Sequence, residues 1–262
     1  MKEQINSIEK ALKILLLFTP YNHEMGTVEI SRNLGFHKAT VSRILTSLTR
    51  YGFLQQNPDT KKFRLGQSAV KLGFAINQSI SSNNIVHIAK PYIDELRDKV
   101  KETVVLEVLL DGSVIIADIA EGPGPIRIRG VIGDRRPAHA AAGAKAILAF
   151  SSPQTREKLM GKNLDRFTPN TIVQIEKIRK QLQEIRKKGF AVDNEEVNLG
   201  INAVGVPIFD LEKKPVAAVV AAGLSQAVTW NGASPIVPLL KEAAAKISAE
   251  LYYKQSPSSN KS

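Results

Sequence analysis

Apolar residues recur at helical spacing along the first quarter of the chain, and the pattern breaks at turn-forming residues. Residues 5–19 set Ile8, Leu12, Leu15 and Phe18 on one stripe with Lys10 and Lys13 turned away, which predicts a helix ended by Pro20. Thr27 can cap a second helix running to Leu34, and Gly35 ends it by accepting a left-handed conformation. A third helix begins near Lys38 and buries Val41, Ile44, Leu45 and Leu48, until Gly52 stops it. Its other face carries His37, Lys38, Thr40, Ser42, Arg43, Thr46 and Arg50. Two short strands, 53–56 and 62–65, then flank the turn-forming stretch Asn57-Pro58-Asp59-Thr60-Lys61.

From Gly66 to Ile80, the residues Ala69, Leu72, Gly73, Ile76 and Ile80 form another helical stripe, and the polar stretch 79–84 reads as a hinge. Beyond it the elements are mixed. A helix over 85–100 precedes strands 103–110 and 114–121, joined by the hairpin dipeptide Asp111-Gly112. Ile126-Arg127-Ile128-Arg129 alternates as a strand, and 140–150 is an Ala-rich helix. Ile172, Ile175, Ile178, Leu182 and Ile185 line a helix over 171–188 that Gly189 stops. Strands 203–209 and 216–224 follow, and Ser234-Pro235 starts the last helix with a cap and a first-turn proline. The expected fold class is α/β, of the α+β kind. The expected divisions are 1–66 for a winged helix-turn-helix, 67–84 for a linker helix, 85–254 for a second domain and 255–262 for a disordered tail.

Charge sharpens this picture. The chain of 262 residues carries a net charge of +11, and residues 1–82 hold 11 Lys and Arg against 5 Asp and Glu, a density above that of the remainder. A phosphate-facing module needs such an excess. Cysteine is absent, which excludes disulfides and thiolate metal sites. No run of about 18 apolar residues supports a membrane span, and no signal-peptide pattern is seen, so a cytoplasmic protein with no membrane partner is expected.

Three short helices followed by a basic two-stranded wing, with a glycine turn between the second and third, form a winged helix-turn-helix for double-stranded DNA. The third helix offers His37, Lys38, Thr40, Ser42 and Arg43 to a major groove. Arg43 can pair bidentately with guanine, while Lys38, Thr40 and Ser42 suit phosphates. Thr27 at the start of the preceding helix and Lys61, Lys62 and Arg64 on the wing complete the candidate DNA contacts.

The sequence resembles the IclR-type transcriptional regulators from about Ser7 to Leu251. The resemblance is carried by 7–12 (SIEKAL), 35–45 (GFHKATVSRIL), 59–66 (DTKKFRLG), 102–104 (ETV), 137–140 (PAHA), 143–146 (GAKA), 189–196 (GFAVDNEE) and 207–210 (PIFD) in this order. It implies a linker helix and a GAF-like effector-binding domain behind the DNA-binding domain. It also implies a homodimer or dimer of dimers on a palindromic operator, and repression of catabolic genes in response to a small organic acid, aromatic ones included. The implied effector pocket uses Ala142 and Gly143 at a helix N-terminus, Asp193, Ile201, Ala203, Val220 and Ala222. Free backbone N–H groups at a helix start attract a carboxylate. In acid-binding members serines match Val220 and Ala222 and a cysteine matches Ala203, so the apolar residues here imply a more apolar ligand or a weakened pocket. A constitutive or architectural DNA-binding protein, whose second domain only oligomerises, is the competing expectation.

Other signals point away from catalysis. The histidines His23, His37, His87 and His139 lack zinc-site spacing. No nucleophile elbow or phosphate-binding glycine loop is present. No enzyme activity, metal or cofactor is expected. Glu195 and Glu196 are expected on a solvated loop, Arg127, Arg129, Arg135 and Arg136 on a solvated strand edge or subunit contact, and His139 at the start of the Ala-rich helix.

Overall fold

The computed structural model describes residues 5–19, 22–80, 85–124, 130–161 and 164–255, without side chains at 74–80 and 253–255. Two compact units result, 1–82 and 83–262.

In the first unit α1 (Ser7–Leu16) starts at Asn6, whose Oδ1 accepts the Glu9 amide at 2.9 Å while Glu9 Oε2 accepts the Asn6 amide at 2.8 Å. This reciprocal capping box satisfies two donors the helix cannot. Ile14 and Phe18 are buried, whereas Ile8 and Leu12 are 72% and 54% exposed, so the expected stripe is split. The core takes the face of Ile14, Leu15 and Phe18, while Ile8, Leu12 and Leu16, spaced four apart, lie on another face of the helix. α2 (Thr27–Leu34) and α3 (Lys38–Arg50) meet at Gly35, whose φ of +66° lies in the region glycine enters without steric cost. Gly26, and not Thr27, is the N-cap of α2. Val41 and Leu45 of α3 are fully buried with Ile14, Phe18 and Ile30, each such aliphatic side chain contributing about 1.5–3 kcal/mol.

The wing strands β1 (Leu54–Gln56) and β2 (Phe63–Leu65) pair antiparallel, and Phe63 exchanges both backbone hydrogen bonds with Met25, which ties the wing to the start of α2. The wing turn is held by Asn57, whose Oδ1 accepts the Asp59 and Thr60 amides at 2.9 and 3.2 Å. α4 (Gln67–Ile80) runs through the segment expected as a helix; the expected hinge residues beyond 80 and the side chains of Ile76 and Ile80 lie outside the described residues.

The second unit begins with α5 (Ile85–Val100). Among the described residues, five strands form one antiparallel sheet in the order β4-β3-β7-β6-β5. They are β3 (Thr103–Leu110), β4 (Ser113–Ala120), β5 (Ala191–Asn194), β6 (Ile201–Phe209) and β7 (Pro215–Leu224). One face packs on α5 and α9 (Ile236–Gln255), the other on α6 (Ala142–Phe150), which in turn packs on α8 (Ile175–Lys188). Such a helix-covered antiparallel sheet is an α+β arrangement. Four elements differ from expectation. The Ala-rich helix starts at Ala142 after a turn, α7 (Pro153–Met160) and β5 are additional, and α8 starts at Ile175. The segment 126–129 lies outside the described residues, as do 256–262 of the tail.

The first turn of α6 lies directly on β6. A Cβ at Gly205 would stand 2.7 Å from Ala142 C and Gly143 N, a distance real contacts do not reach. Gly205→Ala is therefore expected to lower stability by about 1–3 kcal/mol through overpacking, seen as a lower urea midpoint at unchanged slope. A midpoint equal to that of the unaltered protein would mean the helix does not seat there.

Candidate DNA interface and effector cavity

α3 is amphipathic in the sense a groove-binding helix requires. With Val41 and Leu45 inward, His37, Lys38, Ser42 and Arg43 are exposed, while Thr40 is half-buried. His37 is the N-cap residue, so its side chain stands at the entrance of the helix. Lys61, Lys62 and Arg64 are exposed on the wing, where Arg64 Nη2 donates to Gln55 Oε1 at 3.4 Å. Among the described residues, no acidic side chain pairs with Lys38, Arg43, Lys61 or Lys62, so these cations remain available to phosphates or bases. Thr27 is half-buried at the first turn of α2. Each candidate is thus on the first unit, held by α2, α3 and the wing.

In the second unit, Ala142, Asp193, Ile201, Ala203, Val220 and Ala222 line one cavity of about 50 Å³ together with Val105, Glu107, Ile116, Ile119, Gly130, Arg136 and Asn198. That space holds a few waters, at roughly 10–15 Å³ each. Gly143 is buried just behind it, and a Cβ there would run into Val220 and the carboxylate of Glu107. Strand register explains the convergence. Asp193 pairs with Ala203, Ala203 with Ala222, and Val220 with Val105, so alternate residues of four strands face α6.

The N-terminus of α6 meets this cavity. Its N-cap, Ala141, has no side-chain capping bond, which leaves the first-turn amides without a side-chain acceptor of the usual kind. Asp193 Oδ1 accepts the amides of Glu196 and Val197 at 2.7 and 3.2 Å. Burial nevertheless raises its pKa to about 6, against the opposing pull of Lys145 and those two amides.

Sequence reasoning missed two charged residues here, Glu107 and Lys145, and misplaced two more, Glu196 and Arg136. Glu107 is 2% exposed, and its Oε1 accepts from Arg136 Nε at 3.1 Å. Burial raises its pKa, Arg136 opposes that rise, and the negative charge of Asp193 adds to it. Lys145 is wholly buried and pairs with Glu196, which is 4% exposed. Burial lowers the Lys145 pKa and Glu196 opposes the shift. The expectation of a solvated Glu196 is corrected: a lysine enclosed beneath α6 needs a counter-charge, and Glu196 supplies it. Arg136 is likewise drawn to the cavity wall by Glu107, whereas Arg135 is exposed. Arg127 and Arg129 lie outside the described residues. His139 precedes α6; its Nε2 lies 2.9 Å from Asp165 O and its ring stacks on Phe167. The available signal was a lone charge inside an apolar run, Glu107 in 103–110 and Lys145 in 140–149.

A winged helix-turn-helix with an unpaired basic helix, joined to an α+β unit with a lined cavity, defines a class: DNA-binding regulators with a sensor domain. Residues 7–58 match the IclR helix-turn-helix domain, and residues 77–249 match the domain described as bacterial transcriptional regulator IclR C-terminal. The chain is 30% identical over 250 residues to the HTH-type transcriptional regulator XynR of Escherichia coli strain K12, covering 95% of this chain and 98% of XynR. It is 28% identical over 247 residues to the transcriptional repressor IclR of the same organism, covering 93% and 89% of the two chains. The crystal structure of the Thermotoga maritima IclR superposes with a TM-score of 0.77 at 30% identity, over 95% of this chain and 99% of that one. The chain belongs to the IclR family. It is a transcriptional regulator with a DNA-binding helix-turn-helix, and not an enzyme. No described helix is long and apolar enough to cross a membrane.

The Asp193 shift has a pH consequence. A carboxyl whose folded pKa exceeds its unfolded value retains its proton longer when folded, so stability falls as pH rises from about 4 to about 6. Asp193→Asn keeps the acceptor and removes this loss. Urea unfolding at pH 4.5 and 7 is expected to show the variant gaining on the unaltered protein by on the order of 2 kcal/mol across the window. Parallel pH profiles would show that Asp193 is ionised in the fold without cost.

Proposed function

We propose that this regulator is a sequence-specific repressor of catabolic genes that works in the cytoplasm and answers to a small organic acid, the aromatic ones included. The carrying observation is the convergence of Ala142, Asp193, Ile201, Ala203, Val220 and Ala222 on one cavity, with Gly143 beside it. Those seven are the proposed effector contacts. The proposed DNA contacts are Thr27, His37, Lys38, Thr40, Ser42, Arg43, Lys61, Lys62 and Arg64. The name of the E. coli relative, transcriptional repressor IclR, supports repression.

A homodimer, or a dimer of dimers, on a palindromic operator is the proposed assembly. Exposed Ile8, Leu12 and Leu16 on α1 and Val70 and Leu72 on α4 support it, because apolar side chains grouped on a surface favour a partner. In this scheme 1–66 binds DNA, 67–84 links, and 85–254 senses. Ligand binding shifts the population of dimers whose recognition helices match successive major grooves about 34 Å apart. A coupling of about 1–3 kcal/mol suffices.

The second reading, a constitutive DNA-binding protein whose second unit only oligomerises, is favoured by the apolar Ala203, Val220 and Ala222. Gel shifts with and without a metabolite panel separate the two. Operator affinity that changes with a ligand supports the sensor; affinity unmoved by every ligand supports the constitutive protein.

For the DNA contacts, Arg43→Ala is expected to abolish preference for operator over random duplex. Lys62→Ala is expected to weaken both alike and to reduce the slope of log affinity against log salt by about one. Identical behaviour of the two variants on specific and random DNA would refute the assignment of α3 to the major groove.

A further inference from the structure

The effector cavity already contains an anion of the protein's own. Glu107 projects from the middle of β3 onto the first turn of α6, where its carboxylate lies against Gly143. Its Oε1 is taken by Arg136 and the Ala144 amide in the first turn of α6 leans on the carboxylate, but Oε2 is buried and makes no well-formed hydrogen bond among the described residues. Asp193 lines the same cavity from β5. Two carboxylates therefore share the cavity lining with the Arg136 guanidinium, the Lys145 ammonium that also acts on Asp193 being paired with Glu196, and the helix terminus that would attract a ligand carboxylate is already met by Glu107. A buried carboxylate oxygen without a donor is costly, and a ligand that supplies the donor recovers that cost.

We propose that the effector of this regulator carries a protonated nitrogen, which donates to Glu107 Oε2 and balances the charge that Glu107 and Asp193 share. The proposal rests on the cavity reading above and narrows it: an organic acid enters only when it also bears an amino group. The rest of the ligand is a small hydrocarbon, because Val105, Ile116, Ile119, Val220 and Ala222 form the remaining wall. Acids without an amino group would bring a third negative charge into a cavity whose lining holds one cation, Arg136, while Lys145 behind it is engaged by Glu196.

Isothermal titration of the full-length protein with matched pairs tests this. Isobutylamine against isobutyrate exchanges a cation for an anion on one carbon skeleton. Valine against 3-methylbutanoate adds an ammonium to one acid. The amino-bearing member of each pair is expected to bind at least tenfold more tightly, and Glu107→Gln is expected to erase that preference. The paired ratios in the unaltered protein stand even if the variant folds poorly. Equal or tighter binding of the plain acids would overturn the proposal while leaving the cavity as the effector site. Binding of none of the four probes would overturn the cavity reading and the proposal together.

Discussion

The contact that organises the second unit is the seating of α6 on β6. Only at a residue without a Cβ can the helix backbone come so close to the sheet, and Gly205 provides that place beneath Ala142 and Gly143. Close approach brings the start of a helix, with its partial positive charge, into an interior from which water is largely excluded. Everything charged nearby is arranged around that fact. Glu107 reaches the helix start from below, Asp193 stands beside it, and the loop after β5 turns back so that Glu196 meets Lys145 one turn further along α6.

The buried Lys145–Glu196 pair is better understood as a fixing device than as a source of stability. Removing two charges from water costs several kcal/mol each, and their attraction offsets this only with good geometry and added hydrogen bonds. Around the charged atoms such support is thin, since Gln181 Nε2 lies 3.5 Å from Glu196 Oε1 and Glu196 Oε2 has no hydrogen-bond partner among the described residues; the backbone beside them is held more firmly. Thr171 Oγ1 donates to Glu196 O at 2.6 Å, and Thr168 Oγ1 donates to Glu195 O at 2.7 Å. These hold the loop after β5, which carries Glu196 and Asn198, against the cavity. A sensor needs such a wall to be rigid, since a ligand can report only what it changes.

The first unit depends on a smaller version of the same economy. Few residues are fully buried, and α3 keeps its orientation because Val41 and Leu45 meet Ile14, Phe18 and Ile30 while the wing is bonded to Met25. The face left over is basic, and its Lys38 and Arg43 have no acidic partner among the described residues. Apolar residues on α1 that do not reach this core stay at the surface, which is why a stripe of correct period was divided between core and exterior.

Local periodicity and turn chemistry determined most of the elements, because helix and strand repeats and the Gly35, Asp111-Gly112 and Ser234-Pro235 signals act over a few residues. They located α3, the wing, α5 and β3, and the resemblance named six of the thirteen residues that line the cavity. Tertiary structure alone decided what the charges do. Glu196 in an acidic loop and Arg136 in a basic stretch looked solvated, since a one-dimensional pattern carries no information about what lies across a sheet. Glu107 and Lys145 each sit in an apolar run, and only the packing of α6 on the sheet turned the first toward the cavity and buried the second beside Glu196. Short-range preferences set where helices and strands form; burial and charge pairing over long sequence separations set the chemistry between them.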